Sequence, residues 1–392
     1  MDLSDMIFTP VDFQKAREYL FPLIEKVDSS WLTKPKGPLA KFWDTDSPHD
    51  TCFLIDTAYV LKLFQRRISP RSAPLFYEKV KGILSPESEK VFIENLNEFQ
   101  VGFALVRGVS PLDVDPLVPE EFLLPLTNHR RPRTPDFAVH LSSERVFFEA
   151  TVLHIQILDD WDKSVNDITM ALKNHLKKRG KDLTIRIQFP LPFRGDAIQM
   201  AKRLCRRVDA SLSGREVFPE GGEVRWEPLS TFTASDPASA LSSFLKTSLP
   251  VAAFTTDVNG EGIGRAFAQF RCVMPEADMA EANRRLFNSL LNTLRSKKEQ
   301  VAEAKPAIIV LRLGHQWLLK DELIAKIQDR IWPNQYFSWI TGIVLFTPLQ
   351  SYNRTDVVDH QLELCHNPYA KYKASDNLLS LFSGNVQFHA PK

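Results

Sequence analysis

The chain has 392 residues, of which 44% are hydrophobic and 25% are charged, as is ordinary for a folded globular protein. Its 49 lysines and arginines are balanced by 48 aspartates and glutamates, which gives a formal net charge of +1. This balance excludes a protein held on nucleic acid by its overall positive field, so any such contact has to come from local basic patches.

No apolar run approaches the length of a membrane span, and the acidic first residues lack the basic start of a signal peptide. The four cysteines are far apart and form no CxxC pair: Cys52, Cys205, Cys272 and Cys365. We therefore expect reduced thiols in a cytoplasmic protein that does not contact a membrane.

Residues 1–84 are predicted to form a helical N-terminal region. Thr9-Pro10 is typical of a helix start, with an N-cap residue followed by proline at the first helical position. A second helix is predicted over residues 53–67. Nothing in this region carries recognisable chemistry.

The next predicted helix covers residues 85–108, with Ser85 as its N-cap and Gly108 at its end. Glu94 and Glu98 lie four residues apart and therefore share one face of this helix. The proline-rich stretch that follows, residues 110–135, is expected to be an extended loop with room for a short edge strand. It contains a basic run, Arg130, Arg131 and Arg133.

Two runs of alternating apolar residues flank Ser142-Ser143, and this pattern predicts a β-hairpin. With an even-length turn centred on the two serines, Leu141 faces Glu144 and Asp136 faces Glu149. Directly opposed residues have Cβ atoms about 4.5–5.5 Å apart, where two like charges repel each other. A divalent cation is the usual compensation for two such carboxylates. An odd-length turn would instead send the two acids to opposite faces.

Beyond the hairpin, helices and strands alternate, which predicts an α/β fold. We interpret roughly residues 155–278 as an insertion or elaboration. Its predicted elements are helices over 165–178 and 197–211 and strands near 183–189, 223–226 and 251–255.

A later helix is predicted over residues 281–304, with a buried line formed by Leu286, Leu290, Leu294 and Val301. It leads into an apolar strand at 307–313, of the kind found in sheets buried on both faces. A further helix and a strand at 340–346 complete the pattern.

The motif Pro135-Asp136, followed after a short hairpin by Glu149-Ala150-Thr151, resembles the PD-(D/E)xK nuclease-like superfamily. Residues 85–108 are similar to the leading helix of that family, and residues 294–311 to its later helix and strand. The resemblance implies a restriction-endonuclease-like mixed β-sheet flanked by helices. The sheet domain would span residues 85–392, with the helical N-terminal region and the insertion as additions.

The resemblance also implies metal-dependent hydrolysis of phosphodiester bonds, with Mg²⁺ or Mn²⁺ held by Glu98, Asp136 and Glu149. The chain departs from the family at one position, because Thr151 stands where the family has a lysine, two residues after the second acid. A threonine hydroxyl can hydrogen-bond a water or a phosphate, but it carries no positive charge.

A lysine of the later helix could replace the missing one. Lys297 follows Leu294 by three residues and interrupts the apolar line, and the resemblance favours it. Lys298 is nearly as well placed, and either side chain could instead extend outward into solvent. The expected catalytic set is therefore Asp136, Glu149, Lys297 and Thr151.

The expected function is that of a metal-dependent nuclease acting on DNA rather than RNA, with Arg130, Arg131 and Arg133 contacting the nucleic acid. The first alternative is a catalytically silent protein of the same fold that binds nucleic acid or protein in a larger assembly. The second is a different α/β enzyme whose hairpin only mimics the motif. A protein partner or a second copy of the chain is left open.

Overall fold

The chain divides into two compact units. Residues 154–289 form one, and residues 6–153 and 290–392 form the other. A computed structural model describes residues 10–43, 48–108, 112–115, 134–141, 144–153, 156–179, 183–188, 195–218, 222–228, 268–273, 276–298, 306–313, 320–353 and 356–382. No helix within these ranges is both long enough and apolar enough to cross a membrane.

Five helices come first along the chain, and strands and helices then follow in mixed order. In chain order they are α1 (Pro10–Thr33), α2 (Ala40–Trp43), α3 (Pro48–Arg67), a 3-10 turn (Pro70–Ser72), α4 (Ala73–Leu84), α5 (Glu89–Gly108), β1 (Leu112–Val114), β2 (Phe137–Leu141), β3 (Glu144–Val152), α6 (Gln156–Arg179), β4 (Leu183–Gln188), α7 (Ala197–Ala210), β5 (Gly214–Phe218), β6 (Gly222–Pro228), β7 (Ala268–Val273), α8 (Glu276–Lys297), β8 (Ala307–Arg312), α9 (Lys320–Lys326), a π-helical turn (Ile327–Ile331), a 3-10 turn (Gln335–Phe337), β9 (Gly342–Asn353), β10 (Asp356–His366) and α10 (Asp376–Ser380).

The unit formed by residues 6–153 and 290–392 contains a six-stranded sheet in the order β1-β2-β3-β8-β9-β10. Strands β3, β8 and β9 run parallel to one another, and the remaining neighbours are antiparallel. Residues 307–311 of β8 are all buried, as expected for a central parallel strand covered on both faces. The chain is thus an α/β protein with a mixed sheet flanked by helices, which agrees with the predicted class.

The hairpin has the register that its sequence predicts. Strand β2 pairs with β3 so that Phe137 faces Phe148 and Leu141 faces Glu144. The apolar residues that alternate along the two strands lie on one face, where they join the core shared with the N-terminal helices. The other face of the hairpin therefore carries the polar positions of the same two strands.

The N-terminal helices share one buried core with the sheet, and they belong to the same compact unit. The ring of Phe64 on α3 lies 5.4 Å from that of Phe99 on α5 and 6.0 Å from that of Phe137 on β2, centroid to centroid. Gly102 permits this close approach, because a Cβ atom there would lie 2.4 Å from Phe64 Cε2. Burying a phenylalanine side chain such as Phe64 contributes about 1.5–3 kcal/mol to stability.

The four-stranded unit contains a sheet in the order β5-β6-β4-β7. Strand β4 is parallel to β7 and antiparallel to β6. Helices α6 and α7 accompany this sheet, and α8 contributes residues to both units. The unit covers the part of the sequence that we interpreted as an insertion, although it reaches from residue 154 to 289 instead of 155 to 278.

Several predicted elements differ from the observed ones at their ends. Helix α8 begins at Glu276 and ends at Lys297, so it starts earlier and stops earlier than the predicted range of 281–304. The strand predicted at 340–346 extends to Asn353 and forms a hairpin with β10, which the sequence had not predicted. The strand predicted near residues 251–255 lies outside the described residues.

Candidate functional site

Asp136 and Glu149 lie side by side on the polar face of the β2–β3 hairpin. Asp136 immediately precedes β2, one position beyond the Phe137–Phe148 pair, so the register sets it opposite Glu149. Its Oδ2 atom accepts a hydrogen bond of 2.8 Å from the backbone N–H of Ala150. Glu149 is only 1% exposed. Alternation along the strands places both carboxylates on the same side, as predicted.

Lys297 reaches this pair from the end of α8. Leu286, Leu290 and Leu294 form the buried line of the helix, and Lys297 continues that line. Its ammonium group donates to Glu149 Oε1 and forms an ion pair with it. Lys298 points elsewhere, with its ammonium 4.5 Å from the ring centroid of Tyr336. The predicted position of Lys297 near the two acids is confirmed.

A second lysine, which the sequence analysis missed, joins the site from α4. The Nζ atom of Lys79 lies 2.5 Å from Glu98 Oε2 and 3.3 Å from Asp115 Oδ1. Phe76 and Ile83 are buried on the same helix, and Lys79 falls between them at three- and four-residue spacing. A lysine that interrupts an apolar stripe is the signal that identified Lys297, and it could have identified Lys79 too.

Asp115, directly after β1, is tied to the site through its backbone as well. Its N–H donates a hydrogen bond of 2.9 Å to the carbonyl oxygen of Asp136. Its φ of 43° lies in the left-handed region, which aspartate adopts more readily than most residues. This backbone conformation holds its side chain within reach of Lys79.

The six side chains form one electrostatic group, which we call the carboxylate site: Lys79, Glu98, Asp115, Asp136, Glu149 and Lys297. Removal from water raises the pKa of Asp136 well above its usual value, and the charges of Glu149 and Glu98 raise it further. Burial likewise raises the pKa of Glu149, although the neighbouring Lys297 opposes this shift. Four carboxylates thus face two ammonium groups, so the site has an excess of negative charge when all six are ionised.

Both lysines remain charged in this environment. Burial disfavours the Lys297 ammonium, but the charge and hydrogen bond of Glu149, together with the charges of Asp136 and Glu98, outweigh burial and raise the pKa of Lys297. The same balance, with Glu98 as the main attracting group, raises the pKa of Lys79. Each lysine is therefore a fixed positive charge at neutral pH.

No family model, curated protein or solved structure matches the chain.

Two of the four carboxylates of the carboxylate site, those of Asp136 and Glu149, are suited to bind a metal ion. Within the described ranges, no three histidine, cysteine, aspartate or glutamate side chains are close enough to hold one ion together. Glu98 is occupied by Lys79, whereas Glu149 Oε2 is buried and has no hydrogen-bond partner among the described residues. Mg²⁺ is commonly bound by one or two carboxylates, with water and substrate phosphate completing its coordination. Asp136 and Glu149 fit that requirement.

The remaining predicted site residues are only partly covered by the structure. Thr151 lies on β3, half-buried, two residues after Glu149 and on the same side of the strand. Arg130, Arg131 and Arg133 lie outside the described residues. The structure therefore brings together Asp136, Glu149 and Lys297, with Glu98 held nearby by Lys79.

Proposed function

We propose that the chain is a metal-dependent nuclease of the PD-(D/E)xK type, which hydrolyses phosphodiester bonds of nucleic acid, DNA rather than RNA. The observation that carries this proposal is the convergence of Asp136, Glu149 and Lys297. Lys297 is separated from Glu149 by 148 residues, yet its ammonium pairs with that carboxylate. Two acids and one lysine at a single point are the charged groups that phosphodiester hydrolysis requires.

The order of elements supports a restriction-endonuclease-like fold for this unit. Helix α5 leads into β1, the β2–β3 hairpin follows, and α8 and β8 come next, with β8 parallel to β3. The resemblance implied this sequence of leading helix, hairpin, later helix and strand. In the proposal, Lys297 of α8 takes the role of the lysine that the family carries two residues after its second acid, where this chain has Thr151.

Each residue has a distinct role in the proposed reaction. Asp136 and Glu149 would hold Mg²⁺ or Mn²⁺, and the ion would supply a lower pKa for a coordinated water and positive charge against the phosphate. Lys297 keeps a positive charge beside Glu149 and stabilises the negative charge that grows on the phosphate in the transition state. Thr151 offers a hydroxyl on the same side of β3. Glu98, paired with Lys79, adds negative charge that favours a cation at Asp136 and Glu149.

The direct test is cleavage of labelled DNA and RNA by the full chain with Mg²⁺ or Mn²⁺. We expect the wild type to cut, and both Asp136→Asn and Glu149→Gln to be inactive while remaining folded by circular dichroism. Thr151→Lys in a Lys297→Met background should recover part of the activity, because it returns a charge to the family's position. Activity that survives in Asp136→Asn and Glu149→Gln would show that these acids are not the catalytic pair.

One observation favours a second candidate, a catalytically silent module of the same fold that binds nucleic acid or protein. The Lys297 ammonium already pairs with Glu149, so a cation has to compete with an internal one. A wild-type chain that binds nucleic acid but cuts neither DNA nor RNA would support this candidate. In either case we propose a cytoplasmic protein, in keeping with the free thiols of Cys205 and Cys365.

A further inference from the structure

A second charged group lies on the same sheet, built around Asp113 of β1. Arg71, in the 3-10 turn before α4, donates through Nε to Asp113 Oδ1 at 3.0 Å and through a second nitrogen to Oδ2. His140 Nε2 lies 3.0 Å from Oδ2, and Arg145 Nη2 lies 3.3 Å from the same oxygen. We call these four residues the Asp113 cluster.

The positive charge of the Asp113 cluster is at the surface and its negative charge is buried. The side chain of Asp113 is 4% exposed, whereas that of Arg71 is 65% exposed and that of His140 is 53% exposed. Two guanidinium groups and an imidazole share a single carboxylate, so the cluster has a net positive charge. Arg71 has five N–H donors and uses two of them on Asp113, which leaves three to bind a ligand.

The strand register places the Asp113 cluster on the same sheet face as the carboxylate site. His140 pairs with Arg145 across the β2–β3 hairpin, and alternation puts Arg145 and Glu149 on one side of β3. His140 lies on β2, and Asp136, the residue directly before β2, is four residues away from it. At 3.2–3.4 Å per residue, this separation is about 13 Å, whereas Asp113, which holds Arg71, pairs with Ala138 and is therefore only about 7 Å from Asp136 along the strand direction.

This arrangement suits a polyanion whose charges repeat at short intervals. A nucleic-acid strand carries one phosphate about every 3.4 Å along the duplex axis, so a strand crossing this face presents several phosphates over about 13 Å. The planar guanidinium fork matches the oxygens of a phosphate, and a carboxylate that orients it from behind reduces the entropy lost on binding. One phosphate could then lie at Asp136 and Glu149 while another lies at Arg71.

We propose that the Asp113 cluster is a subsite for a non-scissile backbone phosphate of the bound nucleic acid, with Arg71 as its main ligand. The proposal rests on the proposed function for the direction of the strand across the sheet face. Asp113 positions Arg71, His140 and Arg145, and it does not itself contact the phosphate. The simpler role of the cluster, fastening β1 to the hairpin, predicts an effect on stability alone.

The test compares Arg71→Met with Arg284→Met, because both arginines are 65% exposed and each pairs with an acid. Binding of a fluorescent DNA oligonucleotide is measured in EDTA over a series of salt concentrations. Arg71→Met should weaken binding on the order of 3- to 10-fold at low salt and reduce the slope of log K against log[salt] by about 0.7–0.9. Arg284→Met should change neither quantity, and Arg71→Lys should keep the slope because it keeps the charge.

A second measurement separates this subsite from the catalytic proposal. Arg71→Met should raise the KM for a long oligonucleotide and leave the hydrolysis of a dinucleotide unchanged, because the single phosphodiester of a dinucleotide is the scissile one and no second phosphate is left for the cluster. If the wild type cuts nothing but Arg71→Met still lowers the salt slope, the nuclease proposal fails and the subsite stands. If Arg71→Met only lowers Tm, with binding and KM as in the wild type, or if the wild type binds no nucleic acid, the subsite is wrong.

Discussion

The carboxylate site and the Asp113 cluster occupy one face of the same hairpin, yet their acids have opposite properties. Burial disfavours the ionised form of Asp113, but hydrogen bonds from Arg71, Ser69 and His140, together with the charge of Arg71, lower its pKa to about 2. At the carboxylate site, burial and neighbouring acids raise the pKa of Asp136 despite the two lysines.

The two acids differ in the charges that surround them as well as in burial, which is the largest cause of the raised pKa of Asp136. Where cations outnumber the carboxylate, the acid is held ionised and the surplus charge is positive. Where carboxylates outnumber the ammonium groups, the acids resist ionisation and the surplus is negative. One face thus offers an anion subsite and a cation site, with Asp113 about 7 Å and His140 about 13 Å from Asp136 along the strand direction.

The largest effect is expected on catalysis when the lysine of the carboxylate site is removed. Lys297→Met keeps the apolar stem and deletes the charge, so cleavage should fall by about 10²–10⁴-fold. Lys298→Met is the matched control, because Lys298 contacts Tyr336 instead of the acids. Single-turnover cleavage rates compare the two variants, and equal rates would remove Lys297 from the mechanism.

The same substitution should also destabilise the fold in a pH-dependent manner. Removing one partner of a buried ion pair typically costs about 3–5 kcal/mol, and Lys297→Met leaves Glu149 buried without its ammonium. Because the pKa of Glu149 is raised, the carboxylate becomes neutral as the pH falls, so the loss should be smaller at acidic pH than at alkaline pH. Urea unfolding at several pH values measures this, and a loss independent of pH would contradict it.

Asp113→Asn and Asp136→Asn each replace a carboxylate by a neutral amide of the same shape. The two substitutions should change the free energy of unfolding in opposite directions. The pKa of Asp113 is lowered from 3.8 to about 2, so its ionisation stabilises the fold above pH 4, and this contribution is lost as the pH falls towards 2. Asp113→Asn should therefore cost about 1–2 kcal/mol at pH 7, after allowance for solvent screening, and almost nothing near pH 2.

For Asp136, ionisation destabilises the folded state, in contrast to Asp113. Its raised pKa means that the folded state prefers the protonated acid, so the wild type loses stability as the pH rises through the folded pKa. Asp136→Asn keeps an oxygen to accept from Ala150 and removes the charge, and it should be more stable than the wild type at pH 8 by about 1 kcal/mol. Equal shifts of the same sign in the two variants would show that the clusters do not differ as described.

The smallest effect is expected from metal binding. A cation that binds only the folded chain stabilises it by mass action, by about 0.4 kcal/mol at a concentration equal to the Kd. Mg²⁺ or Mn²⁺ should therefore raise Tm in the wild type and leave Asp136→Asn unchanged. Arg71→Met, which alters only the Asp113 cluster, should keep the full metal response. A wild-type Tm that does not respond to millimolar metal would favour the silent module.

The sequence predicted the parts of the site that follow from periodicity. Alternation through Ser142-Ser143 gave the hairpin register and hence the opposition of Asp136 and Glu149. Helical spacing from Leu294 placed Lys297 and Lys298 almost equally well, and the family resemblance favoured Lys297, which is the one that pairs with Glu149. The register and the helical spacing depend only on local geometry, which the order of residues determines.

The missed residues are those that depend on tertiary packing. Lys79 interrupts the apolar stripe of α4, which marks it as a candidate, but its pairing with Glu98 depends on the packing of α4 and α5 in the same core as the sheet. Asp115 depends on a left-handed backbone conformation after β1, in a stretch that the sequence predicted as a loop. Arg71 and His140 meet at Asp113 from three separate segments, a meeting that spacing along the chain cannot reveal.

The long separation between Glu149 and Lys297 has a consequence for biosynthesis. The two residues are 148 positions apart, and at roughly 5–20 residues per second, on the order of ten seconds pass between their emergence from the ribosome. A nascent chain can close the β2–β3 hairpin during this interval, but β3 has neither its partner strand β8 nor the lysine of α8. Asp136 and Glu149 must therefore stay hydrated or protonated until the whole four-stranded unit has been made, and a chain truncated within that unit carries the acids without the charge that balances them.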